Sequence, residues 1–172
     1  MVRDKFELVY THSEIKEVVK SLASEIDGYY KGGYITLIPI LNGAIYFATE
    51  LSHKLKIPHN IYSVIAESYG GHNVIKHKPK VTLPKQIPSY MQFVVVEDIV
   101  NTGATITAVT EKLKLLNPVS INVVSLFCND SACVRFKGFP TDNTHLVGYG
   151  MDYKHAYRHL KDIYKIKNHN HK

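Results

Sequence analysis

With 172 residues, the chain has the size of a single domain with a substantial hydrophobic core. Two cysteines are too few for a disulfide scaffold, the charged amino terminus does not suit a secretory signal, and the apolar runs are too short for a membrane span. These features predict a reduced, cytoplasmic chain without a membrane partner. The net charge of +6 suits nucleic acid or a small polyanion, but the positive charge is scattered and lacks an aromatic-basic recognition motif, so we expect the polyanion and no nucleic acid.

The first half of the chain has the pattern of alternating helices and strands. Thr11 and Glu14 have the spacing of a capping box and predict a helix that runs to about Tyr29, where residues 31–33 end it. Its inner face repeats apolar residues at helical spacing: Ile15, Val18, Val19, Leu22 and Ile26. A buried strand over 34–41, a helix over 44–55 and a strand over 60–66 are expected to follow.

A long polar loop is predicted over residues 67–88, with room for a short hairpin. Within it, Ser68 and Tyr69 precede two glycines that can act as hinges. Loops of this length in compact domains are commonly functional lids, and a disordered loop without such a function is the alternative.

The second half begins with an apolar strand over 93–96 that leads into Glu97, Asp98 and a turn of small residues, and then into a helix over 106–113. Further strands are expected at 120–127, 146–148 and 163–166, with a short segment at 154–160. The βα alternation throughout predicts an α/β fold with a mostly parallel sheet.

The turn after Asp98 has the chemistry of a phosphate cradle. Ligands of such sheets bind where strands end and helices begin, because free N–H groups and the helix dipole point there. Five residues form the turn, of which two are small enough for close approach and two add hydroxyl donors: Asn101, Thr102, Gly103, Ala104 and Thr105. Glu97 and Asp98 would repel a bare phosphate but suit sugar hydroxyls, so a phosphorylated ribose meets both demands.

Four motifs resemble those of the type I phosphoribosyltransferases, and their amino-acid sequence is closest to that of the hypoxanthine-guanine branch. They are the Glu-Asp-Ile-Val-x-Thr-Gly segment at 97–103, residues 37–44, Ser68-Tyr69, and residues 147–153 with Arg158. The resemblance implies one domain over 1–172 with a mostly parallel central sheet flanked by helices, a small hood from both terminal segments and a mobile lid. A Rossmann-like domain with a chance acidic turn is the alternative.

The resemblance also implies a reaction, in which a purine nitrogen displaces pyrophosphate from phosphoribosyl pyrophosphate with the help of Mg²⁺, in a homodimer or homotetramer. Glu97 and Asp98 would hold the ribose hydroxyls and, with Asp152, the metal; residues 101–105 would hold the 5′-phosphate. Pyrophosphate would be bound by Asn42, Gly43, Arg158 and the Ser68-Tyr69 lid. The base would lie against Asn129, His145, Leu146 and Asp152, and the catalytic group would comprise Glu97, Asp98, Asn101 and Arg158.

The sequence departs from the family pattern around the base. Asn101 stands where the hypoxanthine-guanine branch usually has an Asp that exchanges a proton with the purine, and losing such a group typically costs about 10²- to 10⁴-fold in rate. Asn129 replaces a Lys, His145 an aromatic residue and Asn42 a frequent Lys. A slow hypoxanthine or guanine transferase, a transferase for another nucleobase, and a non-catalytic regulator that binds phosphoribosyl pyrophosphate all remain open.

Overall fold

A computed structural model of the protein describes residues 5–67, 79–129, 134–142 and 144–167. These residues form two β-sheets and three helices. In chain order the elements are β1 (Phe6–Tyr10), α1 (His12–Tyr29), β2 (Ile35–Leu41), α2 (Ile45–Lys54), β3 (His59–Ile61), β4 (Val64–Glu67), β5 (Lys80–Thr82), β6 (Gln92–Val100), α3 (Ala104–Lys114), β7 (Ser120–Cys128), β8 (Phe136–Pro140), β9 (Leu146–Val147) and β10 (Ile163–Ile166).

The central sheet is mostly parallel, as predicted. Its strand order is β5-β4-β2-β6-β7-β8, and β3 also pairs with β2. The β4–β5 pair is antiparallel, whereas β2–β3, β2–β4, β2–β6, β6–β7 and β7–β8 are all parallel. Alternate residues of the central strands pack on opposite faces: Leu37 and Val94 join the core beneath α1 and α2, while Ile38 and Val95 join the core beneath α3. Helices therefore cover both faces.

The predicted capping box at the start of α1 is confirmed. The Thr11 N–H donates to the Glu14 carboxylate at 2.8 Å, and the Glu14 N–H donates to the Thr11 hydroxyl at 3.4 Å. Ile15, Val19, Leu22 and Ile26 are buried, and Val18 is partly buried against the same core. The predicted inner face of α1 thus packs on the sheet.

The smaller sheet combines the two ends of the chain, in the order β1-β10-β9 with antiparallel pairs. The family resemblance implies a hood from the same two terminal segments, and that role of the small sheet stays a prediction. However, β1 and β8 were not predicted, and the expectation of βα alternation throughout was wrong. In the described residues β7 leads to the parallel strand β8 without a helix, and β9 and β10 pair antiparallel.

Strand β6 is longer than the sequence predicts. It runs to Val100, so Glu97 and Asp98 lie within the strand and not in the turn that follows it. Glu97 is paired in register with Ser125 of β7, and Ile99 with Phe127. Pairing with β7 therefore extends the strand through its two acids and brings them to the sheet edge where a ligand of this fold would bind.

Candidate active site

A cavity of about 220 Å³ lies where the end of β6 approaches β9 and the segment after it. Nine residues line it: Asp98, Ile99, Asn101, Thr144, His145, Leu146, Met151, Asp152 and Arg158. Six of these are predicted site residues, and they come from positions as far apart in the sequence as 98 and 158. Sequence reasoning did not single out Ile99, Thr144 or Met151, although Ile99 and Met151 lie inside the motifs.

The two acids of β6 occupy different environments. Asp98 is 9% exposed, lines the cavity and accepts a hydrogen bond from the Ile99 N–H at 2.9 Å. Glu97 accepts from the Asp98 N–H at 3.3 Å and, among the described residues, is not one that lines the cavity. Burial, followed by the charge of Asp98, raises the pKa of Glu97 well above its ordinary value. Glu97 therefore favours its neutral form more than an exposed glutamate does.

The turn between β6 and α3 has the form expected of an anion cradle. Gly103 has a φ of 74°, in the left-handed region that glycine adopts without steric cost, and α3 begins at Ala104. The Thr102 hydroxyl accepts from the Ala104 N–H at 3.4 Å. Asn101, Thr102 and Ala104 are exposed, so the amino-terminal end of α3 is open to a ligand.

Asn129 contacts the backbone of this turn. Its side-chain Nδ2 donates to the Asn101 carbonyl oxygen at 2.6 Å, and its backbone N–H donates to the Val100 carbonyl oxygen at 3.3 Å. Asn129, the residue after β7, is thus hydrogen-bonded to the end of β6 and to the first residue of the turn.

Asp152 and Arg158 form an ion pair on the opposite wall of the cavity. Arg158 Nη2 lies 2.6 Å from Asp152 Oδ1, and Arg158 Nη1 donates to the Gly150 carbonyl oxygen at 2.6 Å. Asp152 Oδ2 also accepts from the His155 N–H at 2.8 Å, so the carboxylate stabilises the turn that follows it. A guanidinium has five N–H donors, more than these two contacts use.

His145 is held by the same segment. Its Nε2 lies 2.9 Å from the Asp152 carbonyl oxygen, and its ring meets the Tyr153 ring edge-on at 6.1 Å. Because a carbonyl oxygen only accepts, Nε2 is the donor of this bond. The ring is therefore fixed beside Leu146, where the family resemblance places the base.

The loop after β2 lies against the cavity residue Asp98 through Gly43, but among the described residues neither Asn42 nor Gly43 lines the cavity itself. A Cβ on Gly43 would collide with the Asp98 carboxylate, and a Cβ on Gly150 would collide with the Gly43 carbonyl oxygen. Asn42 is exposed beside them. The predicted pyrophosphate loop thus lies against both the acid of β6 and the segment that carries Arg158.

The predicted lid lies partly outside the described residues, which do not include Ser68 and Tyr69. The strands on either side, β4 and β5, pair antiparallel with Ile65 opposite Thr82 and Glu67 opposite Lys80. Only β5 lies wholly within the loop predicted over 67–88, and it pairs with β4, which precedes that loop except for Glu67. A hairpin contained within the loop itself stays a prediction. The lid function of Ser68 and Tyr69 stays a prediction.

The part of the chain that the structure describes contains neither a clustered metal site nor a helix suited to a membrane. Within it, no group of three or more His, Cys, Asp or Glu side chains is arranged to hold a metal ion, so the predicted set of Glu97, Asp98 and Asp152 is not a preformed three-ligand site. Nor does any helix in the same residues have the length and apolar character needed to cross a membrane. The cytoplasmic location stays a prediction.

The end of β6 carries an acid pair, α3 begins directly after Gly103, and the Asp152–Arg158 pair lines the same cavity as Asp98. Residues 7–171 match the family described as the phosphoribosyl transferase domain, so the chain belongs to the phosphoribosyltransferase family, as its motifs predicted.

Within this family, the chain is similar over most of its length to phosphoribosyltransferases named for hypoxanthine and related purines. The chain is 31% identical over 173 residues to the hypoxanthine phosphoribosyltransferase of Buchnera aphidicola, covering 96% of this chain and 98% of the relative. It is 28% identical over 176 residues to the hypoxanthine-guanine-xanthine phosphoribosyltransferase of Tritrichomonas foetus, covering 97% and 94%. The crystal structure of a hypoxanthine phosphoribosyltransferase from Staphylococcus aureus superposes with a TM-score of 0.87 at 25% identity, covering 96% of this chain and 93% of that one.

Proposed function

We propose that the protein is a purine salvage enzyme, which transfers the phosphoribosyl group of phosphoribosyl pyrophosphate to hypoxanthine or guanine and releases pyrophosphate with inosine or guanosine monophosphate. The observation that carries the proposal is the single cavity shared by Asp98, Asn101, His145, Asp152 and Arg158. Membership of the family and the substrates named for its relatives support the same reaction.

The sugar and its phosphate would lie between β6 and α3. Asp98 would accept hydrogen bonds from the ribose hydroxyls, and its charge would stabilise the positive charge that the sugar gains as pyrophosphate departs. The N–H groups at the start of α3, with the hydroxyls of Thr102 and Thr105, would hold the 5′-phosphate. Both ends of the ribose phosphate would then be fixed by adjacent segments of the chain.

The leaving group would lie between the loop after β2 and Arg158. Backbone N–H groups of Asn42 and Gly43 would donate to the pyrophosphate, and Arg158 would pair with it through donors beyond those that bind Asp152 and Gly150. The base would lie against His145 and Leu146.

Magnesium fits the carboxylates of this cavity. Asp98 and Asp152 both line it and offer the oxygen ligands that Mg²⁺ prefers. Mg²⁺ usually takes one or two protein carboxylates and completes its shell with water and substrate phosphates, which agrees with a site that lacks three clustered ligands among the described residues. When bound, the ion would supply positive charge for the departing pyrophosphate.

A homodimer or homotetramer is the proposed assembly. The contact is proposed at the first turn of α2, where the adjacent apolar side chains of Ile45 and Tyr46 are 45% and 44% exposed. Analytical ultracentrifugation of the protein beside an Ile45→Ser, Tyr46→Ser variant tests it: a shift of the variant towards monomer supports the contact, and an unchanged mass contradicts it.

Turnover is the direct test of the function. The purified protein is given Mg²⁺ and phosphoribosyl pyrophosphate with hypoxanthine, guanine, xanthine, adenine or uracil, and pyrophosphate release is followed. Formation of inosine or guanosine monophosphate supports the proposal. Turnover with adenine or uracil alone would mean that the pocket takes another base, and binding of phosphoribosyl pyrophosphate without turnover of any base would indicate a regulator.

Asn101→Asp tests the missing proton-transfer group. Asn101 lines the cavity, and its amide neither takes nor returns a proton near neutral pH. We expect the variant to transfer to a 6-oxopurine about 10²- to 10⁴-fold faster than the wild type, which is the range typical of one general acid–base group. An unchanged or lower kcat in a folded variant would show that this position does not limit catalysis.

A further inference from the structure

Asn129 joins two segments that are far apart in sequence. Asn129 follows β7, and its side-chain amide donates to the carbonyl oxygen of Asn101, 28 residues earlier, at 2.6 Å. Its backbone N–H donates to the neighbouring Val100 carbonyl oxygen at 3.3 Å. The last residue of β6 and the first residue of the phosphate turn are therefore both bonded to one residue.

The side-chain amide of Asn129 donates to the backbone of the turn, and its position relative to the cavity is the second observation. Asn101 lines the cavity together with His145, Leu146 and Asp152. Among the described residues, the lining set does not include Asn129. Its amide thus contacts the backbone of the turn, whereas the family resemblance implied a contact with the base.

We infer that Asn129 is a positioning residue for the 5′-phosphate turn and governs the affinity for the phosphoribosyl donor, not the choice of base. In a trans peptide the C=O and N–H groups point in opposite directions, so a bond that fixes the Asn101 carbonyl also fixes the Thr102 N–H, which points away from Asn129. The inference rests on the proposed function, because it assigns this turn to the sugar phosphate.

Preorganisation explains why such a bond matters. Asn101 and Thr102 are exposed, and the turn then passes through Gly103, which restricts the backbone least of all residues. A turn of this kind must lose conformational freedom when it binds an anion. A bond that holds it in the bound orientation beforehand lowers that cost, and the benefit appears as tighter binding of anything that carries the 5′-phosphate.

Asn129→Leu tests the inference, because leucine has a similar size but no donor. The dissociation constant of ribose 5-phosphate is measured by calorimetry, and the KM values of phosphoribosyl pyrophosphate and hypoxanthine by steady-state kinetics with Mg²⁺. Loss of one hydrogen bond predicts that the ribose 5-phosphate constant and the donor KM rise about five- to tenfold. The hypoxanthine KM should stay within about twofold. Asn129→Ala, which is smaller, repeats the measurement if the leucine variant does not fold.

His145→Ala is the contrasting variant, since His145 lines the cavity where the base is proposed to lie. We expect the opposite pattern from it: a higher hypoxanthine KM with ribose 5-phosphate binding unchanged. If Asn129→Leu raises the hypoxanthine KM and leaves the ribose 5-phosphate constant at the wild-type value, Asn129 contacts the base and the inference is wrong. If the wild type does not bind ribose 5-phosphate at all, the proposed function itself fails, and this outcome is distinct from the first.

Discussion

Gly150 is the residue that lets the segment carrying Arg158 touch the loop after β2. Its φ is +103°, and a side chain there would collide with the Gly43 carbonyl oxygen. Gly43 in turn lies directly against the Asp98 carboxylate, and Arg158 donates to the Gly150 carbonyl oxygen at 2.6 Å. Asp98 and the segment that carries Arg158 thus both contact the predicted pyrophosphate loop, because Gly43 and Gly150 lack a Cβ.

Gly150→Ala should damage both stability and activity. The positive φ and the collision with backbone together predict a loss of about 1–3 kcal/mol in the free energy of unfolding, measured in urea. The rate of phosphoribosyl transfer should fall as well, because the loop after β2 must move away from Arg158. Gly28→Ala is the matched control: Gly28 lies in α1, and a Cβ there would have no neighbouring atom within 4 Å, so alanine should be neutral or stabilise by up to about 1 kcal/mol. Equal stability of the two variants would contradict this account of Gly150.

Among the elements, those with strong local signals could be predicted and those set by tertiary contacts could not. Helix α1 is indicated by its cap and its apolar period. Strand β8 contains Lys137, Gly138 and Pro140, which are poor strand formers, yet it pairs with β7, and a Cβ at Gly138 would collide with the backbone of Leu126. Strand β6 extends through two acids for the same reason, since pairing with β7 overrides their low strand propensity.

The cap of α1 makes a prediction about pH. Hydrogen bonds from the Thr11 hydroxyl and N–H lower the pKa of Glu14 below its ordinary value of 4.5. A carboxyl with a lowered folded-state pKa stabilises the protein above its unfolded pKa, and this contribution is lost as the pH falls through the folded value. Glu14→Gln keeps an acceptor but has no charge, so it should be less stable than the wild type at pH 7.

The stability difference between wild type and Glu14→Gln should shrink as the pH is lowered from 7 to below 4, because the wild-type carboxyl then becomes neutral too. Urea unfolding of both proteins at each pH measures it. Glu17→Gln, which also removes one carboxylate from an exposed position of the first turns of α1, serves as the control for general charge effects. A difference that is constant with pH would show that the charge of Glu14 does not strengthen the cap.

For the molecule as a whole, the site is shared between two sheets. Asp98 belongs to β6 of the central sheet, Leu146 to β9 of the small sheet, and Asp152 to the segment between β9 and β10. The resemblance of the four motifs to those of the family was enough to predict that these residues converge. The bond from Asn129 to Asn101 and the pair of Asp152 with Arg158 depend on side-chain directions in the folded chain, which no local pattern encodes.

The two sheets also share one core, which leads to a prediction about cooperativity. Ile163 of β10 and Leu146 of β9 pack in the same cluster as Phe127, Phe136 and the inner face of α1. Ile163 is fully buried, so Ile163→Ala should lower the free energy of unfolding by about 2–5 kcal/mol. Ile61→Ala makes the same deletion at a side chain that is 46% exposed and should cost less than about 1 kcal/mol.

The loss in Ile163→Ala should appear as a shift of one transition, because β10 is the middle strand of the small sheet and cannot leave the shared core without exposing residues of the central sheet. The chain has 12 tyrosines and no tryptophan, so tyrosine fluorescence and far-ultraviolet circular dichroism can follow the same unfolding. Coincident curves in both proteins would agree with one cooperative core. A separate early transition in the variant, with the central sheet still folded, would mean that the small sheet unfolds independently. The cavity, which the small sheet helps to line, would then open without global unfolding.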